Sequence, residues 1–291
     1  MMTPRCNAGI SHQRGFSVVE LLVSIAVFSL LMAMILPAVQ RTRERARNIT
    51  CKSHLSQLGK AIHAFHASKN RFPSSLSWHA GEFDGYVDNT ESPNNEWPPL
   101  FACPSDNIPA TDRNFYTSYW KNMGNQTNVT DLGFVNTKSS QSIQDGLSNS
   151  ACMSERLNPI LIDNIFNVTG DIRTEYYYVS KRWPDVSYHQ QFADDCRAAT
   201  RVAKSVFITF GPVYTHVIPP NGRSCYNKGS YKDETVVAPL PMIITTPSSN
   251  HTGGVNLLMC DGAVRWVANS ISQDVWMAIG SVAGGETEND F

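Results

Sequence analysis

The chain has 291 residues, 42% of them hydrophobic and 17% charged, with a formal net charge of −1 at pH 7. That is ample length to bury a core as one large domain or two small ones, and the near-neutral balance gives no argument for nucleic acid or an acidic polymer as partner. No Gly-rich phosphate loop, nucleophile elbow or helical His-Glu-x-x-His pattern occurs, so no catalytic residue is assigned and no enzyme is expected.

Residues 16–36 form an apolar run of 21 residues broken only by Ser17, Glu20, Ser24 and Ser29. As a helix rising 1.5 Å per residue it spans roughly 30 Å, enough to cross a bilayer core. A cleaved secretory signal has a shorter apolar region, roughly 7–15 residues, followed by small residues. This run ends instead in LPAVQRTRERAR, which predicts a retained, single-pass anchor. Pro37 removes one helical hydrogen bond and predicts a kink. Beyond it Cys51, Leu55, Leu58, Ile62 and Phe65 recur at spacings of 4, 3, 4 and 3. That stripe predicts an amphipathic continuation over 37–70, lying against a soluble domain and stopped by NRFP. Arg41 to Arg47 read as a solvated face at the headgroup boundary, with a hold on anionic lipid as an equal alternative.

After Pro73 the composition turns to Ser, Asn, Pro, Gly and aromatic residues. FYTSYW (115–120), EYYYVSKRW (175–183), VFITFGPVY (206–214) and a pair around Asp261-Gly262 read as strands. WPPLFACPSD (97–106) is too rich in proline for a central strand and reads as a loop pinned by Cys103. Residues 185–227 read as an insertion within a β-rich domain over 71–291, and the terminal GGETEND as loose. The expected fold class is α+β: a long amino-terminal helix, membrane-spanning in its first half, packed on antiparallel sheet.

Seven cysteines are present, and six remain once Cys6 is set aside with the leader. An even number suits a disulfide framework, but six cysteines allow 15 connectivities. Cys51 with Cys103 and Cys196 with Cys225 are the candidate pairs, against the alternative of scattered buried thiols. Orientation is contested: Arg41, Arg43, Arg45, Arg47 and Lys52 outnumber Arg5 and Arg14, which places the large domain in the cytoplasm, whereas the cysteines favour export.

Gly15-Phe16-Ser17-Val18-Val19-Glu20, after a short basic leader and before the apolar helix with Pro37, resembles the processing and assembly signal of type IV pilins and type II secretion pseudopilins. The resemblance implies export, cleavage between Gly15 and Phe16 by a membrane peptidase, methylation of Phe16, and Glu20 as the assembly glutamate. The expected segments are therefore a leader at 1–15, an assembly helix at 16–36, its continuation at 37–70, and the soluble domain. Physical chemistry gives Glu20 a partner: the new ammonium on Phe16 lies four residues away, on the same helix face and at the positive dipole end. An uncompensated carboxylate deep in the bilayer would cost roughly 2.5–3.5 kcal/mol.

NHTGGVNLLMCDGAVRWV resembles a carboxyl-terminal tag found with such leaders in a large bacterial family of unknown function: His251, nine residues, then Asp261-Gly262. CKSHLSQLGKAIHAFHASKNRFP, FACPSD and DGLSNSACMSER resemble the same family, which brings no catalytic residues with it. Asp-Gly is a hairpin turn signal. Folding about it pairs Met259 with Val264, Leu257 with Trp266 and Val255 with Ala268. His251 and Asp261 then stand up to roughly 30 Å apart along the strand, which excludes one shared ion unless Gly253-Gly254 bends the chain. No metal ligand set and no cofactor is expected. His54, His63 and His66 read as a solvated helix face.

The leading reading is a pilin-like structural subunit of a pseudopilus or type IV pilus-like filament, in a minor or tip position because 276 residues remain after removal of 15. Its partners are the prepilin peptidase, other pilin-like subunits and membrane lipid. It sits in the cytoplasmic membrane with its carboxyl-terminal domain outside. The alternative is a membrane-anchored module binding polysaccharide or exported substrate through the aromatics of 175–188, Tyr177 above all. A periplasmic hydrolase lacks a recognisable constellation.

Overall fold

The computed structural model describes residues 17–73, 85–87, 98–106, 117–124, 139–158, 161–162, 165–166, 170–179, 189–202, 205–206, 212–227, 235–236 and 243–284. The leader with Gly15 and Phe16, the aromatics at 181–188 and the final 285–291 lie outside them. The chain divides into two units, residues 1–45 and 46–291, and the first helix, α1 (Val18–Lys69), supplies residues to both.

In the first unit the helix is apolar all round, and Val18, Leu21, Phe28 and Leu36 are among its exposed side chains. Among the described residues, α1 is the helix long and apolar enough to cross a membrane. Pro37 lies within it. The Ser24 and Ser29 hydroxyls donate to the Leu21 and Ile25 carbonyls, so neither hydroxyl needs water.

In the second unit the stripe of Cys51, Leu55, Leu58, Ile62 and Phe65 is buried, while Arg41 to Arg47 at and before its start are exposed. Asn70 ends α1 with φ +52°, its N–H donating to His66 O. An asparagine tolerates this left-handed conformation as most residues do not.

Twelve strands are present among the described residues. In chain order they are β1 (Tyr119–Asn122), β2 (Ala151–Glu155), β3 (Leu161–Ile162), β4 (Ile165–Phe166), β5 (Tyr176–Val179), β6 (Ser205–Val206), β7 (Val213–Tyr214), β8 (Ser224–Asn227), β9 (Thr235–Val236), β10 (Ile243–Ile244), β11 (Gly254–Met259) and β12 (Val264–Ala268). Two further helices, α2 (His189–Ala198) and α3 (Gln273–Gly280), complete the described elements. The main sheet runs β12-β11-β2-β1-β7, and a second runs β10-β8-β5. Neither is purely antiparallel as expected: β1 pairs with β7, and β5 with β8, in parallel. Both parallel strands come from 185–227. This segment, read from sequence as an insertion, contributes to both sheets because a parallel partner must be reached by a long crossover.

The main sheet is covered on both faces. Leu258 and Met153 pack with Cys51, Leu55, Leu58 and Ile62 of α1. Val255, Leu257 and Met259 pack with Trp276 and Ile279 of α3. Every residue of β11 is buried. A third core joins Tyr177, Phe192, Cys196, Val217, Cys225 and Ile244 between the second sheet and α2.

The final hairpin differs from expectation by one residue. Leu258 pairs with Val264, Asn256 with Trp266 and Gly254 with Ala268. Cys260, Asp261 and Gly262 form a three-residue loop in which Gly262 N–H donates to Met259 O and Gly262 takes φ +91°. The loop consumes one residue more than a two-residue turn, and that slip moves Val264, Trp266 and Ala268 from the Val255, Leu257 and Met259 face to the face of Asn256 and Leu258. Apolar alternation could not reveal it, because both faces are buried.

Among the described residues two disulfides close, Cys51–Cys103 and Cys196–Cys225, while Cys152 and Cys260 are buried thiols. The first ties α1 to the proline-rich loop, whose Pro99–Phe101 forms one turn of 3₁₀ helix.

Candidate functional site

Ser17 and Glu20 form a reciprocal cap at the start of α1. The Val19 N–H donates to Ser17 Oγ at 3.3 Å, and the Ser17 N–H donates to Glu20 Oε2 at 2.9 Å. This is a variant of the S-x-x-E capping box in which the second helical N–H, not the third, donates to the serine, and it satisfies two helix-end donors at once. Glu20 thus has a local role apart from charge, one that the spacing Ser17-x-x-Glu20 carries in plain sight and that sequence reasoning passed over. Its carboxylate is held one residue from the position where cleavage after Gly15 would create an ammonium.

The carboxyl-terminal tag occupies opposite ends of β11. His251 is buried, and its Nε2 lies 3.3 Å from Glu155 Oε1 and 3.7 Å from Cys103 Sγ. Asp261 is exposed in the hairpin loop; its N–H donates to Leu147 O, and its carboxylate accepts from Ala263 N–H. A Cβ on Gly262 would stand 3.5 Å from the His63 ring, and one on Gly59 would stand 3.4 Å from Gly262 Cα. The tag therefore meets α1 near Cys51 at one end and near Gly59 and His63 at the other. Eight to twelve helical residues rise roughly 12–18 Å, close to the roughly 20 Å of a six-residue strand.

Glu155 is buried between these elements. Asn256 donates to it twice, from its backbone N–H to Oε2 and from Nδ2 to Oε1, both at 2.8 Å, and Asn256 Nδ2 also reaches Asn48 Oδ1 on α1. His251 with Glu155, Cys51 and Cys103 offers four donor atoms within 4.8 Å of one another. Sequence reasoning tested His251 only against Asp261 and missed Glu155. The one signal available was a carboxylate inside the otherwise small and apolar ACMSE.

The helix histidines are not a solvated face. His54 Nδ1 meets Tyr119 OH at 3.3 Å, His63 packs edge-on against Phe72, and His66 Nε2 accepts from Ser140 N–H at 3.2 Å. Burial holds His54 below its ordinary pKa. The tyrosines expected to line a ligand groove are structural as well. Tyr176 and Tyr177 are buried, Arg223 lies 4.7 Å over the Tyr177 ring, and Arg156 stacks between Tyr176 and Trp120. Burial pushes both hydroxyls up in pKa.

Comparison with known proteins agrees with the two ends of the chain. Residues 10–36 match the family described as "Prokaryotic N-terminal methylation motif". Residues 40–86 and 223–274 match "Protein of unknown function (DUF1559)". The competence protein ComGC of Halalkalibacterium halodurans is 32% identical over 85 residues, which cover 29% of this chain and 81% of ComGC. No solved structure matches. None of the matched descriptions names an enzyme.

Proposed function

We propose, from the premise that this chain belongs to the type IV pilin-like proteins, that it is cut between Gly15 and Phe16, methylated on Phe16, and built through α1 into a pilus-like or pseudopilus filament. The observation that carries this reading is the capped Glu20 at the head of a helix whose first half is apolar and exposed and which opens inside the matched methylation motif. In the filament Glu20 accepts the Phe16 ammonium of its own or a neighbouring subunit, and the apolar faces of successive helices replace lipid around one another. The bulk of residues 46–291 suits a minor or tip position. In this reading the domain lies outside the cytoplasmic membrane, which the two disulfides support because such bonds persist where thiols oxidise. Arg41 to Arg47 then meet the headgroups at the membrane exit.

Two substitutions separate the charge of Glu20 from its cap. Glu20→Ala removes both; Glu20→Gln keeps an acceptor for Ser17 N–H and removes only the charge. Both are expected to insert into the membrane and be processed, with intact mass showing loss of residues 1–15 and gain of one methyl group, and both are expected to be missing from sheared filaments. Normal incorporation of Glu20→Gln would refute the charge-pairing role.

A further inference from the structure

We propose that Cys51, Cys103, Glu155 and His251 form a structural site for a thiophilic divalent cation, zinc by chemical class, in the chain whose Cys51–Cys103 bond is reduced. The four residues come from α1, the proline-rich loop, β2 and the tag, and all are buried. A tetrahedral zinc with bonds of about 2.3 Å to sulfur and 2.0–2.2 Å to nitrogen and oxygen needs ligand-to-ligand edges of roughly 3.3–3.8 Å. Two such edges already stand: His251 Nε2 to Glu155 Oε1 at 3.3 Å, and His251 Nε2 to Cys103 Sγ at 3.7 Å. The two cysteine Cα atoms are 5.2 Å apart, so breaking the sulfur–sulfur bond lets side-chain rotation open the sulfur–sulfur edge, and the other three pairs already lie within 4.8 Å.

The surroundings hold the donors in place. Asn256 fixes the Glu155 carboxylate by two hydrogen bonds and is itself held by Asn48; Ser249 Oγ accepts from His251 N–H; Cys103 N–H donates to Ser118 Oγ. Such outer partners orient metal ligands and raise their affinity. Four protein donors with no place left for water describe a structural site and not a catalytic one.

The chemistry balances in two steps. A dithiol or phosphine reductant gives the disulfide two electrons, and two protons complete the thiols. Zinc then displaces both thiol protons and forms two zinc–sulfur bonds. A disulfide-donating oxidoreductase reverses the process, taking two electrons and releasing the cation as the sulfur–sulfur bond closes. Metal and disulfide thus clamp the same joint between α1 and the proline-rich loop, one before oxidation and the other after it.

The test uses the full chain in detergent, reduced with a phosphine and titrated with zinc, with cobalt as spectroscopic probe. One cation per chain is expected, with cobalt–thiolate charge-transfer and tetrahedral absorption bands, and none in the oxidised chain. Cys103→Ser and His251→Ala should each weaken binding at least ten-fold, and Cys152→Ser, which removes a thiol outside the set, should leave it unchanged. Failure of the reduced chain to bind zinc, or binding that survives Cys103→Ser and His251→Ala, overturns the proposal. If reduction unfolds the domain, zinc must restore its circular dichroism; failure to do so overturns it equally.

Discussion

Acid should destabilise the domain through His216, a histidine that takes no part in either candidate site. His216 is fully buried, stacked on Trp276 at 3.9 Å between ring centroids, and pressed so closely against Gly280 that a Cβ there would come within 2.3 Å of its own. Its Nδ1 lies 2.8 Å from Trp276 O, an atom that can only accept, so Nδ1 carries the proton and Nε2 accepts from Tyr214 O–H at 3.0 Å. The neutral ring is therefore fully satisfied, and charging it would place an ion where no water reaches. Burial holds its pKa down to about 3. In the unfolded chain the value returns to about 6.5.

Between those limits the unfolded state binds a proton that the folded state refuses. The stability His216 contributes is thus present above about pH 6.5 and is lost at about 1.4 kcal/mol per unit as pH falls toward 3. From pH 6 to pH 4 the loss is about 2.5 kcal/mol. His216→Asn keeps a donor for Trp276 O and removes the titration. In denaturant unfolding of the detergent-solubilised protein at pH 6, 5 and 4, the variant should start less stable yet lose about 2.5 kcal/mol less over that range than the parent. Groups such as Asp171, held below its usual range by Arg173, titrate in both proteins and cancel. Equal losses within about 0.5 kcal/mol would refute the reasoning.

The glycines that open β11 should respond differently to the same change. Gly254→Ala brings a Cβ within 2.1 Å of Val267 O in the paired strand, a backbone clash expected to cost about 3 kcal/mol and to show as a lower denaturation midpoint. Gly253→Ala meets nothing within 4 Å and should cost only the left-handed φ of +90°, about 1–2 kcal/mol. Opening Cys196–Cys225 with paired serines releases a loop of sequence separation 29 and should remove about 3.5 kcal/mol, with calorimetry as the readout; a shift near zero would mean that the loop is already ordered in the unfolded chain.

The stripe of Cys51 to Phe65 and the capping pair Ser17 and Glu20 are legible because a helix depends on neighbours three and four residues away, and the residues that set its period are adjacent in the chain. The β-rich domain was legible as a class, but β2 was not. Ala151–Glu155 carries a serine and a glutamate and shows no apolar alternation, yet it is the central strand, buried along its whole length. Its Glu155 is tolerated there only because Asn256, more than a hundred residues later, supplies two donors. Nothing near Glu155 in sequence announces that arrangement.

The sequence by itself determined a membrane-length apolar helix continuing into an amphipathic one, because those are local patterns of period and spacing. Only the tertiary structure decided that Leu258, and not Val255, Leu257 and Met259, meets that helix, since burial on both sides of β11 hides the difference, and only it set the β12 register, which one extra loop residue shifts. The same folding brings His251 beside Glu155 and Cys103 while Asp261 stays at the far end of the strand. Convergence of that kind follows from strand order and crossover, and those are set by how the cores close on each other.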